Sequence, residues 1–202
     1  EKVYTDKAES EVSWFEPQPS LSLELIAAAP AGTAASVIDI GGGASRLAGH
    51  LLVSGYRDIS VLDISEAALK AAANALGARA REIDWIVSDI TRWQPSRTYD
   101  VWHDRAAFHF LTDAAERAAY VDRLRQALKP GGLAIFATFA PDGPEKCSGL
   151  EVVRHDAESM GRELGPDFSL LRTERHAHET PWGAAQSFQI SVFRYSPPGA
   201  PR

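Results

Sequence analysis

Three glycines directly after an apolar run limit the folds that this chain can adopt. A buried β-strand is predicted at Ser36–Ile40, the turn at Gly41–Gly43 ends it, and a helical pattern follows from about Ala44 to Val53. Glycine lets the backbone turn sharply and approach a ligand, and the first turn of a helix offers free N–H groups. The junction predicts the strand–turn–helix unit that binds nucleotide-like ligands in α/β sheets.

The rest of the chain alternates short apolar runs with helical stretches, which is the pattern of a mostly parallel sheet with helices on both faces. Further strands are predicted at Ile59–Leu62, Ile83–Val87, Val101–His103, Leu133–Phe139, Ser169–Thr173 and Gln189–Tyr195. Further helices are predicted at Leu21–Ala29, Ser65–Gly77, Asp113–Leu128 and Asp156–Leu164. The last strand alternates polar and apolar residues, which favours an edge position. The predicted fold class is α/β with six or seven strands.

The composition allows one domain and excludes several kinds of partner. At 202 residues with 45% hydrophobic side chains, the chain is long enough for one buried core. Its net charge of -6 provides no basic field for a phosphate backbone, so no nucleic-acid partner is predicted. Cys147 is the only cysteine, which fits a reducing cytoplasm and excludes an internal disulfide. No apolar run approaches the roughly 20 residues that span a bilayer, so no membrane partner is predicted.

Three aspartates lie at or near the ends of the first three predicted strands. Asp63 ends the second strand about 20 residues after the turn, where a carboxylate can accept both hydroxyls of an adenosine ribose; its alternative role is to cap the next helix. Asp89 follows the third strand, in a position to accept from an adenine amino group. Asp39 lies inside the first strand, where an unpaired carboxylate is costly, so it needs a buried donor or a cationic ligand group. A methionine ammonium would serve.

Four motifs in order resemble the signature of class I S-adenosylmethionine-dependent methyltransferases. They are Val37–Ser45, Val61–Ser65, Ser88–Ile90 and Leu128–Gly132, and the resemblance covers residues 36–140. It implies a Rossmann-like, doubly wound, mostly parallel seven-stranded sheet and S-adenosyl-L-methionine as the cofactor, with the ribose on Asp63 and the adenine on Asp89. The predicted cofactor-binding residues in this part of the chain are Asp39, Gly41, Gly42, Gly43, Asp63, Ile64, Asp89, Ile90 and Asp104.

A nicotinamide (NAD)-dependent oxidoreductase is the remoter alternative. The dinucleotide-binding motif of that class has a third glycine at the position where this chain has Arg46. It also gives no reason for Asp39 or for the turn at Lys129–Gly132, whereas the methyltransferase pattern accounts for both. A third class is a protein that binds the cofactor tightly but turns over no acceptor.

The acceptor site is expected where the fourth strand ends, because the acceptor meets the sulfonium there in the family that the chain resembles. The candidate catalytic residues are therefore His103, Asp104, Arg105 and His109. Either histidine could remove a proton near neutral pH, or it could be a packing or cofactor contact, and Asp104 and Arg105 could simply pair. Methyl transfer mainly needs alignment, so a dedicated base is not required.

Three further segments are candidates for the edges of the site. Trp14 resembles the aromatic element ahead of the first motif in several methyltransferases, and it is expected either to cover the cofactor or to pack on the core. The loop Ala140–Gly149 follows the fifth strand and should border the acceptor. His176 and His178 could reach the same mouth, but they have no further evident ligand, so no metal site is predicted.

Together these observations predict a cytoplasmic S-adenosylmethionine-dependent methyltransferase with a small-molecule acceptor such as a thiol, an amine or a hydroxyl compound. A compact chain without an added recognition domain favours the small acceptor. A protein acceptor, methylated on lysine, is the alternative, and no oligomeric state is predicted. The expected organisation is an N-terminal flap and leading helix at residues 1–30, a methyltransferase domain at residues 31–195 and a disordered tail at residues 196–202.

Overall fold

A computed structural model describes residues 18–43, 45–180, 183 and 185–199 of the chain. Its helices are α1 (Ser20–Ala27), α2 (Leu47–Val53), α3 (Glu66–Leu76), α4 (Ala114–Ala127) and α5 (Ala157–Leu164). Its strands are β1 (Ser36–Ile40), β2 (Asp58–Asp63), β3 (Ile83–Val87), β4 (Tyr99–Arg105), β5 (Leu128–Phe139), β6 (Lys146–Cys147), β7 (Leu150–Glu151), β8 (Phe168–Glu179) and β9 (Ala185–Tyr195). Short 3₁₀ helices lie at Gly32–Ala34, Gly77–Glu82 and Phe108–Phe110. Every strand and helix that the sequence predicts is present, although several boundaries differ.

Seven strands form one sheet in the order β3-β2-β1-β4-β5-β9-β8. The first five strands of the chain run parallel, β9 runs antiparallel to β5, and β8 runs antiparallel to β9. The strand order reverses between β1 and β4, and ligands of open α/β sheets bind beyond the carboxyl ends of the strands at such a point. The predicted mostly parallel, seven-stranded α/β sheet is confirmed.

Each face of the sheet has its own apolar core, because successive side chains of a strand point to opposite faces. Val37 of β1 belongs to the core that includes Leu51 of α2. Trp102 of β4 belongs to the opposite core, which includes Leu124 of α4 and Leu164 of α5. Helices therefore cover both faces, as predicted.

The prediction that the last strand lies at the sheet edge is wrong. β9 lies between β5 and β8 and is hydrogen-bonded on both sides. The sequence predicted β8 only at Ser169–Thr173, whereas the strand has 12 residues and pairs with the full length of β9. Its second half is polar because it is the edge strand, and exposed and half-buried side chains alternate from Leu171 to Ala177. This polarity concealed the strand from the apolar pattern.

Helix α2 begins at Leu47, later than the predicted start at Ala44, which lies outside the described residues. The glycine turn is anchored by β2, since the N–H of Gly43 donates to Asp63 Oδ2 at 2.9 Å. Ser45 Oγ then accepts from the N–H of Leu47 at 3.0 Å. These bonds keep the backbone in a turn until the helix begins.

The chain ends lie partly outside the described residues. Residues 1–17 and 200–202 belong to this undescribed part, so the predicted flap, the disordered tail and the domain boundaries stay predictions. Residues 196–199 form neither helix nor strand. Within the described ranges, no helix combines the length and the apolar character needed to cross a membrane.

Candidate functional site

A cavity of about 630 Å³ opens at the carboxyl ends of β1, β2, β3 and β4. Five of the predicted cofactor residues line it: Gly41, Asp63, Ile64, Asp89 and Ile90. The remaining wall comes largely from the segment after β4 and from the hairpin formed by β6 and β7. The volume lies within the roughly 300–1,000 Å³ that small-molecule pockets occupy. The cavity coincides with the reversal of strand order.

Asp63 is buried beside the glycine turn and connects it to β2. Asp63 Oδ2 accepts from the N–H of Gly43 at 2.9 Å, and Oδ1 accepts from the N–H of Ser65 at 2.8 Å. A Cβ on Gly43 would lie 2.6 Å from Asp63 Oδ2, so this approach requires glycine. Burial raises the pKa of Asp63, and the bonds from Ser65 and Gly43 oppose that rise. A carboxylate has about four lone-pair sites, so acceptor capacity remains for ligand hydroxyls.

Asp89 forms a turn of its own after β3. Its Oδ1 accepts from the backbone N–H of Thr91 at 2.9 Å and from the Thr91 hydroxyl at 2.7 Å. Its Oδ2 lies 3.7 Å from Nε of Arg92, and the Asp89 side chain is 38% exposed. The turn fixes the carboxylate at the cavity wall, where its Oδ2 forms no hydrogen bond shorter than the contact with Arg92 among the described residues.

Asp39, His103 and Ser22 form a buried, hydrogen-bonded chain. Asp39 of β1 and His103 of β4 are register partners in the sheet. Asp39 Oδ1 lies 2.7 Å from His103 Nδ1, and His103 Nε2 lies 2.9 Å from Ser22 Oγ on α1. The buried donor that the sequence required for Asp39 is thus His103, which the structure places outside the cavity wall.

The second oxygen of Asp39 has a different environment. Asp39 Oδ2 is buried and has no hydrogen-bond partner within the described part of the chain. It lies at the glycine turn, because a Cβ on Gly42 would be 2.2 Å from Oδ2. A buried acceptor without a partner costs about 1–3 kcal/mol, so this atom marks a place for a donor.

Strand β4 extends to Arg105, beyond its predicted end, and this decides the position of Asp104. As a strand residue, Asp104 points into the core on the face of α4, where it is fully buried. It accepts from the N–H groups of Ala107 and Phe108 and from the hydroxyl of Tyr120. Burial raises the pKa of Asp104 to about 6, and these hydrogen bonds oppose the rise. Instead of facing a cofactor or an acceptor, as expected, Asp104 holds the turn that follows β4.

His109 is also buried, in the 3₁₀ helix that follows this turn. Its Nδ1 accepts from the backbone N–H of Phe139 at 3.4 Å. Burial, helped by the nearby charge of His155, lowers the pKa of His109 to about 3. The ring is therefore neutral near neutral pH and packs 4.8 Å from the Phe139 ring, between centroids. This environment favours a packing role over proton transfer.

Arg105 is the one candidate catalytic residue that lines the cavity. Its guanidinium carbon lies 5.7 Å from the centroid of the Phe188 ring on β9. Among the described residues of the wall, Arg105 alone carries a basic side chain. The next residue, Ala106, has a φ of 66°, which is rare for a residue other than glycine and is typical of strained backbone at functional sites.

The hairpin of β6 and β7 forms the far wall of the cavity. Its turn residues Ser148 and Gly149 have φ values of 52° and 82°, as in the type I′ turns of tight hairpins. The hairpin residues that line the cavity are Cys147, Ser148, Leu150 and Glu151. The predicted loop after the fifth strand therefore borders the cavity, as expected. Phe110 and Leu111 provide apolar surface in the same cavity.

Trp14 and two histidines are the remaining residues predicted at the edges of the site. Trp14 lies outside the described residues, so its role as a lid stays a prediction. His176 and His178 lie on β8, away from the cavity wall, and the His178 ring packs at 6.1 Å from the Phe188 ring.

Two residues that bond candidate site residues, Ser22 and Tyr120, were not predicted from the sequence. Ser22 of α1 contacts His103, which lies 81 positions later in the sequence. Tyr120 of α4 contacts Asp104 of β4. A usable signal existed for Ser22, because it is a polar residue between Leu21 and the apolar stripe of α1. Tyr120 gave no such signal, since a buried tyrosine in a helix is ordinary core packing.

The polar groups of the site fit S-adenosylmethionine. Asp63 retains acceptor capacity for hydroxyls, Asp89 presents Oδ2 beside Arg92, and Asp39 has a buried oxygen without a partner among the described residues. Ile64 and Ile90 offer apolar surface at the same wall. An adenosine that carries an ammonium group matches this set.

Residues 37–132 match the model of a family described as a methyltransferase domain. Malonyl-[acyl-carrier protein] O-methyltransferase 2 of Ilyobacter polytropus is 34% identical over 85 residues, which are 42% of this chain and 31% of the relative. N-terminal Xaa-Pro-Lys N-methyltransferase 1 of Rattus norvegicus is 28% identical over 148 residues, 68% of this chain and 63% of the relative. Each match thus covers less than two thirds of the relative's length.

One solved structure is similar over nearly the whole chain. It is 1,6-didemethyltoxoflavin-N1-methyltransferase of Burkholderia thailandensis, with 1,6-didemethyltoxoflavin and S-adenosylhomocysteine bound. It superposes with a TM-score of 0.69 at 18% identity, covering 96% of this chain and 81% of the other. At this identity the similarity establishes the fold. Together with the family match, it confirms the resemblance that the four motifs indicated.

Proposed function

We propose that this chain, which has the class I methyltransferase fold, binds S-adenosyl-L-methionine and transfers its methyl group to a small-molecule acceptor. One observation carries the proposal: five predicted cofactor residues, from the ends of three parallel strands, line a single cavity. Ligands of such sheets bind where the strand order reverses, and the cavity lies there. The family match over residues 37–132 spans the same strands.

The chain's own residues have to bind and orient the reactants. When bound, S-adenosylmethionine supplies a methyl group that its sulfonium has already activated. Asp63 would accept the ribose hydroxyls, Asp89 would accept the adenine amino group, and Ile64 and Ile90 would pack on the adenine. Alignment accounts for most of what methyl transfer requires. The buried, hydrogen-bonded states of His103, Asp104 and His109 support a mechanism without a dedicated base among them.

A small acceptor is supported by the far part of the cavity. Phe110, Leu111 and Leu150 give this part an apolar surface, and Arg105 adds one positive charge. We infer an acceptor with an apolar body that fits beside the cofactor in about 630 Å³. By their names, the relatives methylate oxygen in one case and nitrogen in the other two.

The first test is calorimetric titration with S-adenosylhomocysteine and, separately, with NADH. We expect S-adenosylhomocysteine to bind and NADH to give no binding heat. Asp63→Asn should weaken S-adenosylhomocysteine binding by about tenfold or more, because it removes a charge-assisted hydrogen-bond acceptor. Asp58→Asn is the matched control, since Asp58 lies at the opposite end of the same strand and pairs with Arg97.

Asp63 also accepts from Gly43 and Ser65, so thermal unfolding of Asp63→Asn has to show that the variant is folded. Binding of NADH without S-adenosylhomocysteine would identify the chain as an oxidoreductase instead. Equal loss of affinity in the Asp63 and Asp58 variants would remove the ribose contact from the proposal.

A protein acceptor is the second candidate, because the relative from Rattus norvegicus is named for methylation of a protein N-terminus. S-adenosylmethionine with a tritiated methyl group separates the two candidates. Label in the small-molecule fraction of an extract supports the small acceptor, and label in precipitated protein supports the protein acceptor. Tight cofactor binding with no label in either fraction supports a binding protein without catalysis.

A cytoplasmic location and the absence of nucleic-acid partners are retained as part of this proposal. The net charge of -6 disfavours binding to a phosphate backbone, and a single cysteine suits a reducing compartment.

A further inference from the structure

His103 has a partner at each ring nitrogen in the buried chain with Asp39 and Ser22. Both of its ring nitrogens take part in buried contacts, at 2.7 Å to Asp39 and at 2.9 Å to Ser22. A carboxylate oxygen accepts, so Nδ1 donates in the first bond, and the Ser22 hydroxyl bonds Nε2. His103 is therefore a fixed donor to one oxygen of Asp39.

This donor also determines where the other oxygen of Asp39 points. A carboxylate is planar, so a bond that fixes Oδ1 restricts Oδ2 as well. Asp39 Oδ2 is buried at the glycine turn, 2.2 Å from the position of a Cβ on Gly42, and lacks a partner in the part of the chain that the structure describes. The carboxylate thus packs directly against the backbone of Gly42, and its unused acceptor lies at the glycine turn.

The local charge favours a cation at this position. Burial and, less strongly, the nearby charge of Asp39 raise the pKa of Asp63. The two carboxylates thus repel each other across the glycine turn, and a positive group beside them would relieve the repulsion.

We propose that His103 and Ser22 are positioning residues that hold Asp39 so that its unpartnered oxygen receives the α-ammonium group of S-adenosylmethionine. The inference rests on the proposed function, because it assigns one part of the same cofactor to this buried chain. It replaces the role of His103 as a candidate base. It also connects α1, through Ser22, to the cofactor site.

The test compares three ligands by calorimetry: S-adenosylhomocysteine, its analogue without the α-amino group, and 5′-methylthioadenosine, which lacks the whole amino-acid part. In the wild type, loss of the amino group should weaken binding by about tenfold or more. In His103→Leu this difference should disappear, while 5′-methylthioadenosine binds within about twofold of its wild-type affinity. A general structural defect would instead weaken all three ligands together.

His103→Asn is the conservative variant, because its amide can still donate to Asp39 from near the position of Nδ1. It should restore most of the discrimination between the two homocysteine ligands. Ser22→Ala removes the outer link and should reduce the discrimination less than His103→Leu does. Thermal unfolding checks each variant, and if His103→Leu does not fold, the ligand ratios of the other two variants carry the test.

The proposal is overturned if the affinity ratio of the two homocysteine ligands is the same in the wild type and in every folded variant. Failure of the proposed function looks different, because the wild type would then bind neither S-adenosylhomocysteine nor 5′-methylthioadenosine. That result would overturn both proposals.

Discussion

At the scale of single residues, burial has changed the chemistry of Asp104 in a range of pH that a stability measurement can reach. The side chain is fully buried and accepts from two backbone N–H groups and from the Tyr120 hydroxyl. Burial raises the pKa of Asp104 from 3.8 to about 6, although the hydrogen bonds act in the opposite direction. Asp104 therefore affects stability in a pH range where exposed aspartates do not titrate.

Asp104→Asn should change the pH dependence of stability. Because the folded-state pKa is the higher one, the folded protein binds more protons, so this contribution to stability is fully present below about pH 4 and is lost as the pH rises through about 6. We expect the free energy of unfolding of the wild type, relative to Asp104→Asn, to be about 1 kcal/mol larger at about pH 5 than at about pH 7.5. Urea unfolding at the two pH values measures this difference.

Tyr120→Phe provides the internal check on that prediction. The Tyr120 hydroxyl lowers the pKa of Asp104, so its removal should move the loss of stability to higher pH. If the wild type and Asp104→Asn differ by the same amount at both pH values, Asp104 does not titrate as described.

At the scale of elements, helix α5 illustrates how a well-capped helix tolerates a residue of low helix propensity. Asp156 Oδ1 accepts from the N–H of Ser159 at 2.7 Å, and Ser159 Oγ accepts from the N–H of Asp156 at 2.9 Å, which together form a capping box. Gly161 lies in the helix interior, where glycine costs backbone entropy. The cap and the buried residues Met160 and Leu164 maintain the helix despite this glycine.

Gly161→Ala should stabilise the protein. A Cβ at this position would lie 3.6 Å from the Phe193 ring, which is an ordinary contact. We expect the free energy of unfolding to rise by about 0.5–1 kcal/mol. Thermal or urea unfolding measures the change.

Gly132→Ala on β5 is the contrasting substitution. There a Cβ would lie 2.9 Å from the carbonyl oxygen of Lys129 and 3.0 Å from that of Asp100, and backbone atoms cannot easily move away. We expect this variant to lose about 1–3 kcal/mol. A stability equal to that of Gly161→Ala would contradict the steric account.

At the scale of the whole molecule, the cavity couples ligand binding to global stability. Its wall includes residues after β1, β2, β3 and β4 and from the β6–β7 hairpin. A ligand that binds only the folded state must stabilise all of these elements together.

S-adenosylhomocysteine should therefore raise the melting temperature. At about 100 times its Kd, a ligand adds about 2.7 kcal/mol, which corresponds to a rise of about 5–10 °C for a chain of this size. Differential scanning calorimetry measures the shift, and NADH at the same concentration is the control. An unchanged melting temperature at saturating S-adenosylhomocysteine, or an equal rise with NADH, would contradict the proposed cofactor.

Much of the cofactor half of the site was predictable from the sequence. Gly41, Asp63 and Asp89 were predicted from the glycine turn and the strand ends, Ile64 and Ile90 from the resemblance to the methyltransferase motifs, and all five line the cavity. Such positions are set by local sequence, because a glycine turn or a strand end is a local event, and parallel strands bring their carboxyl ends to one edge.

The residues of the acceptor side of the site were predicted less well, because β4 is longer than the sequence pattern indicates. The strand continues to Arg105 rather than ending at His103, so Asp104 became an inward-facing strand residue instead of a residue of the open edge. Side chains alternate between faces along a strand, and one or two residues of extra length decide which of them reach the cavity. Arg105 alone of the four candidates does so.

The sequence by itself determined the succession of strands and helices along the chain, the α/β class and the sheet edge where the cofactor residues lie. Hydrophobic periodicity and turn residues depend on neighbouring positions in the chain, so they can be identified without the fold. Only the tertiary structure decided that His103 bonds Asp39 and Ser22, that Tyr120 meets Asp104, and that β9 is an interior strand. These outcomes depend on which distant residues come into contact and on how far each strand extends. Burial then shifts the pKa of enclosed side chains such as Asp104, because the free energy of an ionised group depends on the protein groups that replace its hydration water.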